Sequence, residues 1–168
     1  KEIRSRWDPL AEKINYGEFI ASYVKTCMEW TSNKGLDYAL LTHFHNDHFG
    51  GRVDGTPVSV NSPTYQQQSF AYIMDAFQIG KLIDRGYPDY DYPFDMATKA
   101  VGNAANCANY ITAVKWHVEN KGLNAEKFIP GVTDQIVLKY EASKYPDCYV
   151  RNLVANGEVW TGTGTQTK

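Results

Sequence analysis

The sequence predicts an α/β fold, and three observations carry that prediction. Apolar residues recur at helical spacing at Ile20, Val24, Cys27 and Met28, and this helix leads into a short apolar run at Ala39-Leu40-Leu41. A second strand-like run follows at residues 79–83. A long amphipathic face is then written from Met96 to Val118. Helices alternating with short buried strands imply a parallel sheet. The 168 residues suit a single domain, taken as 1–168. With 17 basic and 19 acidic side chains the net charge is −2, which excludes capture of duplex nucleic acid by a general basic field. No apolar run approaches the ~20 residues that a membrane-spanning helix needs.

Trp7-Asp8-Pro9 reads as a helix start, with Asp8 as cap and Pro9 in the first turn. Gly17 interrupts that helix or divides it from the next, which runs over residues 18–33 and ends at Gly35. Residues 37–42 are a buried strand, and 58–60 a short one. Residues 66–77, rich in Gln and Tyr, are a helix or a loop. After the strand at 79–83, Asp84-Arg85-Gly86-Tyr87-Pro88 is a turn, and Asp95 caps the helix that follows. That helix runs over six turns to near Gly122, burying Met96, Ala100, Ala104, Cys107, Ile111, Val114 and Val118. Residues 134–140 and 147–155 read as strands. Asn156-Gly157 marks a hairpin between 152–154 and 158–160, and the Gly/Thr-rich residues 161–168 end without a closing element.

The chemistry is concentrated in Leu40-Leu41-Thr42-His43-Phe44-His45-Asn46-Asp47-His48-Phe49-Gly50-Gly51. Three of the four histidines and a carboxylate fall within six residues. Imidazole and carboxylate are the donors that suit zinc, iron and manganese. His43 and His45 lie two apart at a strand end, so extended backbone throws both to one side. The chain must then turn, bringing Asp47 and His48 toward an adjacent point, and Gly50-Gly51 permits a tight bend beyond them. A loop at the carboxyl end of a buried strand is where open α/β sheets place their sites. The competing readings are an exposed polar loop and a histidine pH switch.

The string His43-Phe-His45-Asn-Asp47-His48, after an apolar strand and before Gly-Gly, resembles the HxHxDH signature of the metallo-β-lactamase superfamily, at all four ligand positions and over residues 36–52. The resemblance implies part of an αββα sandwich, incomplete at one or both ends, with the remaining sequence or a partner chain completing the site. It implies His43 and His45 on a first metal and Asp47 and His48 on a second, with zinc expected as one or two ions and manganese or iron as substitutes. It further implies a bridging water as nucleophile; in one-metal members Asp47 instead orients that water or accepts its proton. The similarity is greatest to the bacterial branch that includes the metallohydrolase domain of DNA-uptake channel proteins, which favours a phosphodiester over a lactam, lactone or thioester. The rival class is a non-catalytic metal-binding or interaction module. A di-iron redox site is disfavoured, because Asn46 stands where those members carry a Glu.

Further candidates read as structural. His117 lies in a helical setting and is expected on the helix surface rather than as a ligand. Asp89, Asp91 and Asp95 form a turn and a cap rather than a cation site, and Tyr87, Tyr90 and Tyr92 are packing rather than a substrate wall. Lys81 and Arg85 are solvated charges unless an anionic substrate meets them. Cys27 and Cys107 fall on apolar helix faces and are expected in the core. With Cys148 they make an odd, widely spaced set, neither a zinc knuckle nor a disulfide framework.

Overall fold

The computed structural model describes residues 16–52 and 55–168, so the expected helix start at Trp7-Asp8-Pro9 lies outside the described residues. The elements, in order, are α1 (Tyr16–Met28), β1 (Leu36–Leu40), a single turn α2 (Asn46–Phe49), α3 (Ser69–Ala76), β2 (Ile79–Asp84), a turn α4 (Met96–Lys99), α5 (Ala104–Lys121), β3 (Ala125–Lys127), a 3₁₀ turn at Ala142–Lys144, and the two short strands β4 (Val154–Ala155) and β5 (Glu158–Val159).

β1, β2 and β3 form a parallel sheet in that order, with Leu40 opposite Ile83 and Ile83 opposite Glu126. The protein is therefore mixed α/β, as the sequence predicts. Right-handed crossovers that step the same way along a sheet place their helices on one face. Accordingly α3 packs on both α1 and α5. α1 meets α3 through small residues. A side chain at Gly17 would meet the Ser69 carbonyl oxygen at 2.5 Å, and Ala21 is buried. This close approach rotates α1 from its expected setting: Ile20 and Cys27 are exposed, and only Val24 and Met28 of the predicted stripe pack against the core. Cys107 is buried, as expected.

The helix predicted from 96 to 118 is broken. Ala100 leaves helical geometry at ψ 102°, Gly102 takes a left-handed φ of 68°, and Val101 is 99% exposed between them. Asp95 caps α4 as expected, its carboxylate accepting from the Ala97 N–H at 2.9 Å. Val58 forms a lone bridge to Gln66 in place of a strand. The predicted strands at 134–140 and 147–155 do not form either, apart from Val154–Ala155. Buried amides hold this stretch instead: Gln135 Nε2 donates to the Lys127 carbonyl at 2.8 Å, and Asn152 Nδ2 donates to Gln135 Oε1 at 2.7 Å. The hairpin is as read: β4 and β5 pair antiparallel, with Asn156 and Gly157 at φ 54° and 84°. Residues 161–168 double back, contrary to expectation. Lys168 and Val159 exchange two backbone hydrogen bonds of 2.9 Å.

At the amino end of β2 a buried polar knot ties α3 to α5. His117 is only 5% exposed, which overturns its expected surface position. Its Nε2 lies 3.2 Å from Asp75 Oδ1 and 3.0 Å from the Tyr65 hydroxyl. Asp75 also accepts from Tyr65 at 2.6 Å, Ser59 at 2.8 Å and Asn61 at 2.9 Å. Burial pushes this carboxyl up. The hydrogen bonds from His117, Tyr65, Asn61 and Ser59 outweigh burial and hold it well below the ordinary carboxylate value of 3.8. A depressed folded pKa stabilises the fold above the unfolded value, and that contribution is lost as pH falls below about 4. In urea unfolding followed by circular dichroism, wild type should therefore lose stability between about pH 5 and pH 2 more steeply than Asp75→Asn. Equal slopes would contradict this account.

Candidate metal centre

The motif loop is anchored at two buried points, Phe44 and Phe49, with an exposed run over residues 45–48 between them. Phe44 and Phe49 are buried and the three histidines between and around them are not. Phe44 packs on Tyr90 and Tyr110, each at 5.8 Å between ring centroids, and Phe49 lies 5.8 Å from Tyr110. Anchoring the phenylalanines beneath the loop is what turns the imidazoles outward. The backbone is pinned as well. Asn103 Nδ2 donates to the Phe44 carbonyl at 2.6 Å, and Asn106 Nδ2 to Asn46 Oδ1 at 2.9 Å. Gln68 Nε2 donates to the Gly50 carbonyl. Gly50 has φ 81°, and any Cβ there would collide with Ser69, so only glycine fits at this bend.

Below the loop sits an acid that the sequence reading did not single out. Asp84, at the carboxyl end of β2, is 1% exposed. Its Oδ1 accepts from the Gly86 and Tyr87 N–H groups at 2.7 and 2.8 Å, and its Oδ2 from the Tyr110 and Tyr90 hydroxyls at 2.9 and 3.0 Å. Burial pushes the Asp84 carboxyl up, against the pull of those four donors. The same aromatic rings that support Phe44 are thus tied to the turn after β2. Tyr90 is core, as the packing reading expected, while Tyr92 is exposed.

On this floor, His43, Asp47 and His48 each offer a ligand atom within 4.8 Å of the others. His48 Nε2 lies 3.8 Å from Asp47 Oδ2. The rings of His43 and His48 are 3.7 Å apart between centroids, and His45 stands edge-on to His43 at 4.8 Å. His43 and His45 therefore share a side, as extended backbone requires, but His45 is outside the mutually close donor set. Thr42 Oγ1 bridges the loop, 3.3 Å from His43 Nδ1 and 3.0 Å from His48 Nδ1. A hydroxyl on Nδ1 orients an imidazole and leaves Nε2 free, the usual role of the groups behind a metal ligand. Thr42 carried no signal of its own beyond adjacency to the histidines. The His43 imidazole is pushed below its ordinary value of 6.5, first by burial and then by His48 and His45.

Two donors each ~2.1 Å from one ion stand at most about 4.2 Å apart. The 3.8 Å pair already meets that limit, and the 4.8 Å bound closes with side-chain shifts of about half an ångström. The donor set therefore fits an ion such as zinc. The other candidates are not drawn in: His117 lies at the opposite end of the sheet, and Asp95 is spent on its cap. Among the described residues, Asp89 and Asp91 join no group of potential ligands.

No family model, curated protein or solved structure matches the chain.

Among the described residues no helix is long and apolar enough to cross a membrane.

Proposed function

We propose that the protein is a metal-dependent hydrolase of metallo-β-lactamase type, acting on a phosphodiester. In this reading the parallel sheet with its helical layer is one half of an αββα sandwich, and zinc is the ion held at the motif. The observation that carries the reading is the convergence of His43, Asp47 and His48 on one exposed point at the carboxyl end of β1. Three protein ligands with an open side are the pattern of catalytic zinc, whereas structural zinc is closed by four. That favours a hydrolase over a purely structural metal module.

His43 and His48 hold the ion, oriented by Thr42 behind them. His45, beside His43, is the further imidazole available to the site. Asp47, the one carboxylate in the set, is a ligand or accepts the proton of the attacking water. When bound, the ion supplies a water acidified toward pKa 7 and polarises the oxygen of the scissile bond.

Zinc dialysis followed by metal analysis tests this. Wild type should retain at least one zinc per chain, and His43→Ala with His48→Ala should retain none. Hydrolysis of bis(p-nitrophenyl) phosphate by the zinc-loaded chain should exceed that of the lactam nitrocefin. Unchanged metal content in the double variant would overturn the site assignment.

A further inference from the structure

Beside the motif, across the carboxyl ends of β1 and β2, lies a cleft of about 270 Å³. Its walls include Leu41, Thr42, Phe128, Val154 and Asn156, and among the described residues Arg85 is the only charged one that lines it. Thr42 belongs to both places: it lines the cleft and touches the imidazoles of His43 and His48. The cleft therefore adjoins the proposed metal centre through Thr42.

Arg85 is held ready. Asp84 fixes the backbone on its far side through the Gly86 and Tyr87 N–H groups, at 2.7 and 2.8 Å. Arg85 Nε donates to Asn156 Oδ1 at 2.8 Å, and Asn156 Nδ2 returns a bond to the Arg85 carbonyl at 2.8 Å. This reciprocal pair clamps the stem of the guanidinium to the hairpin turn. Among the described residues no carboxylate pairs with it, and its terminal N–H groups have no acceptor. Lys81, within the β2 strand that Arg85 follows, contrasts with it, since its ammonium is neutralised by Glu126 at 2.9 Å. A guanidinium clamped at Nε, with its remaining donors unspent in an otherwise uncharged cleft, is built to take a planar or tetrahedral oxyanion.

We propose that Arg85 is the specificity-determining residue for the substrate, binding the anionic oxygen of a phosphodiester while an apolar substituent lies against Leu41, Phe128 and Val154. This rests on the hydrolase reading for the word substrate, though the anion site itself does not need the metal.

The test uses the zinc-free chain, in which bis(p-nitrophenyl) phosphate is bound but not cleaved. Its binding is followed by titration in two-dimensional NMR, beside the neutral triester methyl bis(p-nitrophenyl) phosphate. Arg85→Gln keeps a donor near the place of Nε for Asn156 and removes the positive charge together with the terminal N–H groups. The expected result is an affinity for the phosphodiester about ten- to a hundredfold weaker in Arg85→Gln, partly restored in Arg85→Lys, with triester binding unchanged. Equal phosphodiester binding in wild type and Arg85→Gln overturns the proposal, and so does an equal loss for diester and triester, which would mark a structural role. If the anion binds through Arg85 but the zinc-loaded chain cleaves neither diester nor lactam, the hydrolase reading fails and the anion site stands.

Discussion

Asp47→Asn in the zinc-loaded protein should lower the hydrolysis of bis(p-nitrophenyl) phosphate by about 10²- to 10⁴-fold, the range that a positioned acid–base group contributes. The substitution leaves the fold intact, because the Asp47 side chain is 70% exposed and makes no hydrogen bond to the core. Its carboxylate faces His48 Nε2 at 3.8 Å, so the loss falls on the proposed centre itself. Measuring zinc content beside turnover separates the two roles open to Asp47. Retained zinc with lost turnover assigns proton transfer, and lost zinc assigns ligation. Turnover equal to wild type would remove Asp47 from the mechanism.

The largest effect on stability belongs to Asp84→Ala. It strands two backbone N–H groups and the hydroxyls of Tyr90 and Tyr110 in a buried space. Each unpaired buried donor costs about 1–3 kcal/mol. The costs are not additive within one network, so the sum should come to about 3–5 kcal/mol. Asp84→Asn should cost less, because a tyrosine hydroxyl can rotate to accept from the new amide. Urea denaturation measures both. The Ala variant should also hold zinc more weakly, since Tyr90 and Tyr110 form the surface on which Phe44 rests. A loss below about 1 kcal/mol would show that water replaces the carboxylate and that the network is not a support.

What the sequence disclosed followed from local physics. A helix cap at Asp95 and an Asn-Gly hairpin each depend on neighbours a few residues away, and both are present, while the strand expected buried at 37–42 forms at Leu36–Leu40, only part-buried and with Leu40 exposed. The shared side of His43 and His45 was equally legible, because extended backbone sets residues two apart on one face. The misread features depend on distant partners. Nothing near His117 announces that Tyr65 and Asp75 come from over 40 residues away to bury it. The β propensity of residues 134–140 was genuine, but the Val137 backbone bonds the Tyr38 hydroxyl and Gln135 spends its amide on the Lys127 carbonyl and Asn152, in place of a strand partner. Cys27 was misplaced because the packing of α1 is decided by the absence of a side chain at Gly17, not by its largest apolar residues. Asp84 looked like an ordinary turn residue, and Arg85 like a solvated charge unless an anionic substrate met it. Their roles appear only when Tyr110 and Asn156 are brought to them.

The most direct test of the central claim is X-ray absorption at the zinc edge of the zinc-loaded chain. The motif predicts a first shell of nitrogen and oxygen at about 2.0–2.1 Å, with the outer-shell scattering of at least two imidazoles. A shell containing sulfur at about 2.3 Å, from the exposed Cys27 or Cys148, or a shell without imidazole scattering, would contradict it.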